Sequence, residues 1–292
     1  MRESFIKYLQ FEKRYSPHTI QSYHNDLLQL EEFLTAEFDL ADASQANHNC
    51  LRAWIIQLSD SQLQPRTINR KLASAKAYYR FLLKQSLIEK DPTSKIKSLK
   101  TNKRLPQFVS EESMSMLLDH SLEARDFNGL RDRLVIELLY GTGIRLAELI
   151  NLRDEDINTH NQTIKVLGKR NKERIIPYSK SIQTAINEYT NERKSVATST
   201  HNYLITTDKG GKLYPMFVYR IVKRWLSACT TIEKRSPHVM RHTFATHLLN
   251  KGAELNAVKD LLGHTSLAAT QVYTHNSMEK LKAVFDQAHP KA

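Results

Sequence analysis

Apolar positions at the start of the chain recur at helical intervals. Phe5, Ile6 and Leu9 begin one stripe, and Ser16-Pro17 opens a longer helix in which Ile20, Tyr23, Leu27 and Leu30 face inward. Leu51, Trp54, Ile55 and Leu58 mark a third helix. The fourth opens at Gln64-Pro65 and runs to about Lys84, turning Ile68, Leu72, Ala75 and Tyr79 to the core and leaving Arg66, Arg70, Lys71, Lys76 and Arg80 on its surface. No strand-like alternation interrupts these stripes, so residues 1–95 predict an all-helical domain. From Asp91-Pro92 to Pro106 the periodicity disappears while lysines accumulate, and residues 96–106 read as a basic linker to a second domain, 107–292.

The second domain mixes two periods. Ser110 caps a helix with Glu111 and Glu112 in its first turn, and a mostly apolar helix from Leu130 to Tyr140 is expected to stop at Gly141. A turn then feeds a helix at Ile144, which buries Leu146, Leu149 and Ile150, with Glu148 in a structural role. Ile157, then Gln162 to Leu167, then Glu173 to Pro177 alternate as a short three-stranded antiparallel sheet whose second turn sets Lys169 at a hairpin tip. Ile182, Ala185, Ile186 and Tyr189 mark one scaffold helix, and Phe217 to Leu226 another, with Arg220, Lys223 and Arg224 outward. Ser236-Pro237 starts a helix with core face Met240, Phe244, Leu248 and Leu249, and Gly252 ends it. A further helix from about Asn256 to Leu262 ends at Gly263. Met278, Leu281, Val284 and Phe285 set the apolar stripe of a C-terminal tail helix. The fold class expected is mainly α with a small antiparallel β-sheet.

Charge narrows the partners. A formal net charge of +12 over 292 residues asks for a polyanion, nucleic acid before membrane, since no apolar run approaches the about 18 residues of a spanning helix. Two cysteines, Cys50 and Cys229, without metal-type spacing fit a reducing, cytoplasmic setting. No metal is expected: His238, His242 and His247 lack the His-Glu-x-x-His arrangement and a nearby carboxylate or Cys partner. No ATP site is expected either. Gly141-Thr142-Gly143 is followed by Leu146 where a dinucleotide loop has its third glycine, and no Gly-x4-Gly-Lys-Ser/Thr occurs.

The candidate chemistry gathers at arginines and histidines near helix starts. His238 and Arg241 stand at i and i+3 on the first turn of their helix, where backbone N–H groups and the positive dipole end also favour an anion. Arg145 lies at another helix start. The stop at Gly263 exposes His264, and Tyr273 follows nine residues later, close enough for the two side chains to converge.

His-x-x-Arg at 238–241, Leu-Leu-Gly-His at 261–264 and Tyr273 followed by Thr-His resemble the C-terminal signature of the tyrosine recombinases, most of all the Xer branch. Thr142-Gly143-x-Arg145-x-x-Glu148-Leu149 resembles the setting of that family's first catalytic arginine. Gly168-Lys169 through Arg174 and Pro177 resembles its Gly-Lys-Gly-x-Lys-x-Arg-x-x-Pro strand pair, with Arg170 in place of the second glycine. The resemblance implies a SAM-like, DNA-gripping N-terminal domain and an α+β catalytic domain. It implies an enzyme that breaks and rejoins double-stranded DNA through a 3′-phosphotyrosyl bond, with no cofactor and no metal. Arg145 and Arg241 then clamp the phosphate and Tyr273 attacks it. His238 is the base and His264 a phosphate donor, or the reverse, and Lys169, or Lys172 if Arg170 reshapes the tip, protonates the leaving oxygen. The partners implied are duplex DNA, a homo- or hetero-tetramer on paired sites, a second recombinase and a septal DNA translocase. The compact length and the ending His289-Pro290-Lys291-Ala292 also resemble the Xer branch. A mobile-element integrase, a topoisomerase of the same chemistry and a non-catalytic DNA-binding regulator are the alternatives.

Overall fold

The computed structural model describes residues 1–101, 107–121, 125–168, 173–196 and 202–263. Lys169, Lys172, His264, Tyr273 and the C-terminal stripe fall outside the described residues. The chain forms two compact units, Met1–Arg104 and Leu105–Ala292.

In the first unit α1 (Arg2–Lys7) runs into a π-helical stretch, Tyr8–Glu12, and α2 (Pro17–Phe38), α3 (His48–Asp60) and α4 (Pro65–Lys84) follow. The start of α2 matches its sequence signal: Pro17 takes the first helical position and the Ser16 hydroxyl accepts from the Thr19 backbone N–H at 3.3 Å. Phe5, Leu30, Trp54, Ile68, Leu72 and Tyr79 meet in one core. Two sequence expectations change here. Lys71 is only 6% exposed, because it and Arg70, with the Ser74 hydroxyl, compensate Asp26, a carboxylate buried on α2. The segment assigned to the linker also docks in part. Ile96 joins the core, Lys76 Nζ donates to the Ile96 carbonyl at 2.7 Å, and the Asn69 amide exchanges two hydrogen bonds with the Leu99 backbone.

The second unit contains α5 (Glu111–Ser121), α6 (Phe127–Thr142), α7 (Leu146–Asn151), β1 (Ile157–Asn158), β2 (Thr163–Leu167), β3 (Glu173–Pro177), α8 (Lys180–Val196), α9 (Pro215–Cys229), α10 (Pro237–Asn250) and α11 (Leu255–Leu262). The sheet is antiparallel in the order β1-β2-β3, with Thr163 opposite Pro177 and Leu167 opposite Glu173. Helices around a small sheet are the fold class the sequence implied.

Helix α6 passes the expected stop at Gly141 and ends at Gly143, which takes the left-handed conformation at φ 58°. The Thr142 hydroxyl holds this last turn by donating to the Leu138 carbonyl at 2.6 Å. Glycine is required at 143 for a second reason: a Cβ there would lie 2.5 Å from Cδ1 of the buried Phe244 ring on α10. Gly143→Ala combines the left-handed penalty with overpacking, together about 3 kcal/mol. A fall in melting temperature of roughly 10 °C is expected, and calorimetry showing no change would refute this packing.

Candidate active site

Three arginines from three different elements converge on the end of one helix. Helix α11 rests on α10 and β3 and stops at Gly263, which is left-handed at φ 62°. Its last carbonyls have no partner within the helix and carry the negative end of its dipole. Arg174 Nε donates to the Leu261 carbonyl at 3.0 Å, Arg241 Nη2 to that of Leu262, and Arg145 Nη2 to that of Gly263 at 2.8 Å. Successive carbonyls are thus each held by a different guanidinium, immediately before His264 in the chain.

Each arginine is delivered by an element the sequence specifies. Arg145 occupies the N-cap of α7, and its backbone N–H donates to Glu148 Oε2 at 2.8 Å. Arg241 lies one turn into α10, four residues after Pro237, and its second nitrogen donates to the Gly143 carbonyl at the end of α6. Ser236 is the N-cap residue of α10 as expected, but its side chain makes no capping bond. Arg174 lies on β3 with the same parity as Ile176, so both face inward, and it is 5% exposed.

Glu148 ties the cluster together. Oε1 accepts from Arg145 Nη1 at 2.8 Å and Arg174 Nη1 at 2.7 Å; Oε2 accepts from the Arg145 backbone and, at 2.8 Å, from Arg174 Nη2. Burial pushes this carboxyl up, but the bond and charge of Arg174, followed by the bonds from Arg145, hold it below the ordinary glutamate value. Glu148 is therefore a buried anion that orders two cations.

The balance stays positive. Three guanidiniums against one carboxylate leave two net charges among the described residues. Burial first, then the charges of Arg145 and Arg174, push Arg241 down to about 9, against the upward pull of Glu148. A cation so disfavoured gains from any anion brought beside it. A guanidinium carries five donors, and the bonds above use two on Arg145 and two on Arg241. A phosphate can therefore be met without dismantling the cluster.

The histidines separate by burial. His238 is exposed on the first turn of α10, one turn from Arg241, as its spacing requires. His247 is buried on the same helix. Its Nε2 lies 2.9 Å from the Val109 carbonyl, which can only accept, so that nitrogen carries the proton and Nδ1 accepts from the Tyr140 hydroxyl at 2.9 Å. Burial holds its pKa below the ordinary value, and it is a neutral core strut.

On α4, Arg66 and Arg80 are exposed and share a face with Arg70, whose half-exposed guanidinium is fixed by the Ser22 hydroxyl at 2.8 Å and by Asp26. Lys71 lies off that face and is buried, whereas Lys76, one turn before Arg80, is taken up by the Ile96 carbonyl.

The residue that sequence reading left without a role is Arg174. Its signal was present, since a charged residue at the parity of Ile176 lies on the buried side of a strand.

A helical unit followed by an α+β unit with an anion-seeking arginine cluster defines a class of protein. A match to the phage integrase family covers residues 107–280 and one to the phage integrase N-terminal SAM-like domain covers 3–86, so the chain belongs to the phage integrase family. The resemblance read from the motifs is borne out. The chain is 37% identical over 316 residues to a tyrosine recombinase XerC of Chlorobaculum parvum, covering 99% of this chain and 94% of that one. It is 37% identical over 298 residues to a tyrosine recombinase XerC of Staphylococcus epidermidis, covering 100% and 98%. In fold it is similar to the XerH site-specific recombinase bound to palindromic difH substrate, with TM-score 0.72 at 23% identity over 96% of this chain and 82% of that one. It is also similar to the Tn1549 transposon integrase in complex with transposon right-end DNA, with TM-score 0.76 at 20% identity over 97% and 98%.

Proposed function

We propose that this chain is a tyrosine-type site-specific recombinase that cuts and rejoins double-stranded DNA, in the manner of Xer chromosome-dimer resolution. The observation that carries the reading is the clamp formed by Arg145 and Arg241, cations with unused donors around a site of net positive charge. A phosphodiester repels nucleophiles and expels a poor alkoxide, so catalysis must neutralise the phosphoryl oxygens, free a nucleophile and protonate the leaving group. Arg145 and Arg241 take the two non-bridging oxygens. The Tyr273 oxygen attacks phosphorus, forming the 3′-phosphotyrosyl bond as the bond to the 5′ oxygen breaks. The phenolic proton passes to His238, with His264 donating to the phosphate, or the two histidines exchange roles. The departing 5′ oxygen takes its proton from Lys169. A second 5′ hydroxyl reverses the sequence, and the tyrosyl ester conserves the energy of the broken linkage.

Arg66, Arg70 and Arg80 give α4 a cationic face for the duplex, which adds phosphate contacts in the first unit. The working assembly is a tetramer on two paired sites in the cytoplasm, with a second recombinase and a septal DNA translocase as partners. Mapping the sites bound in the genome supplies a substrate. A nicked duplex carrying that site should then trap the protein covalently, and two such duplexes should exchange strands. Binding without an adduct would make the chain a regulator; an adduct with no exchange between sites would make it a topoisomerase.

The general acid has its own test. Lys169→Ala should fail on ordinary DNA and recover on a 5′-bridging phosphorothiolate, because a thiol of pKa about 8.5 leaves without a proton. Lys172→Ala is the control: if Arg170 has remodelled the tip, rescue appears in this variant instead. Sulfur rescue in neither removes the hairpin from the acid role.

A further inference from the structure

We infer that Arg174 is a positioning residue whose charge keeps Arg145 available to the scissile phosphate. The inference rests on the recombinase reading above and concerns how its first arginine works. Glu148 aligns Arg145 through the side chain and the backbone at once. Alone, that carboxylate would also cancel the charge it aligns. A buried one-to-one Arg–Glu pair is nearly neutral toward a third partner, and an entering phosphate would have to compete with Glu148 for the same guanidinium. Arg174 removes this conflict. Its fork meets both Glu148 oxygens, at 2.7 and 2.8 Å, so the carboxylate is neutralised from the side of β3 while it still orients Arg145. The same guanidinium donates through Nε to the Leu261 carbonyl, which fixes the end of α11 against the sheet. Gly263 is the counterpart of this fit: a Cβ there would lie 3.0 Å from Arg174 Cδ and 3.2 Å from Nε.

The geometry thus distinguishes two arginines that look alike in composition. Arg145 is 26% exposed at its side chain and keeps donors for a ligand; Arg174 is sealed and spends its fork on Glu148. Charge, more than shape, is what Arg174 supplies, and substitutions can separate the two.

The experiment measures single-turnover formation of the covalent adduct by the full-length protein. One DNA carries an ordinary scissile phosphate, the other a methylphosphonate that lacks one negative charge. Arg174→Met should slow the reaction on phosphate by on the order of 100-fold, the scale of losing one transition-state-stabilising group. On methylphosphonate, where less charge has to be met, the wild-type-to-variant ratio should shrink to a few-fold. Arg174→Lys, which keeps the charge and loses the fork, should stay within roughly tenfold of wild type on phosphate. The double variant Arg174→Met/Glu148→Gln restores the original net charge and should recover at least about tenfold over Arg174→Met. Melting temperatures identify any variant that fails to fold, and Arg174→Lys with the double variant then carries the comparison. Equal defects on the two DNAs, with the double variant no faster than the single, would overturn the inference and leave Arg174 a packing residue. Wild-type protein that forms no adduct on phosphate would instead sink the recombinase reading, and this inference with it.

Discussion

Replacing Tyr273 by Phe is expected to leave DNA binding intact and to abolish the covalent adduct completely. The substitution removes one oxygen and keeps the ring, so whatever contacts the ring makes survive while the attacking atom does not. A free phenol has a pKa of about 10, so only about one in a thousand is ionised at neutral pH. Attack therefore needs a base and a positive field. The field is the part on view: Arg145, Arg174 and Arg241 outweigh Glu148 at the end of α11, ten residues before Tyr273 in the chain. Trapping on a nicked suicide substrate, with gel-shift affinity measured alongside, reads both halves of the expectation. A Phe variant still recovered covalently on DNA would mean that another residue is the nucleophile, and peptide mapping of the adduct would name it.

Legibility in the sequence followed the range of the forces involved. Helix starts at Pro17, Pro65 and Pro237 and the stop at Gly263 were readable because each depends on one or two residues of local chemistry. The sheet was readable because period-two alternation in β2 and β3 needs no partner to be recognised. Gly141 and Gly143 could not be told apart on local grounds, since either can end a helix. What chooses is the Phe244 ring of α10, which leaves no room for a Cβ at 143 and is distant in the chain. Charge was misjudged for a related reason. Lys71 lies three residues after Ile68 and four before Ala75, on the buried side of α4, and its position makes sense only with the buried Asp26 of α2. Arg174 has the same logic with Glu148 as its counter-charge. A cation on an apolar face is a prompt to look for a buried carboxylate elsewhere, and that partner carries no local signal.

Arg241→Lys should convert a pH-insensitive arginine into a titrating one, with activity and stability moving in opposite directions. Burial and the neighbouring Arg145 and Arg174 push the guanidinium from its ordinary, far higher value down to about 9, which leaves it mostly charged at physiological pH. The same burial and neighbouring charges push an ammonium, whose ordinary pKa is about 10.4, well down toward neutrality. Only the protonated lysine can meet the phosphoryl oxygens. Cleavage by the variant should therefore fall as pH rises from about 6 to 8.5, losing on the order of 100-fold relative to wild type at the upper end. Wild type should stay flat over that window as far as Arg241 is concerned. Stability has the reverse sign. A basic group whose folded pKa lies below its unfolded pKa binds fewer protons in the native state, so native stability rises with pH between the two values. The variant should thus melt higher, relative to wild type, at pH 8.5 than at pH 6, while cleaving less. Saturating DNA should shift its activity profile to higher pH, because the bound phosphate returns part of the charge stabilisation. Parallel pH profiles for Arg241→Lys and wild type would show that the buried cluster does not depress a cation at this position, and that the clamp owes its effect to hydrogen-bond geometry alone.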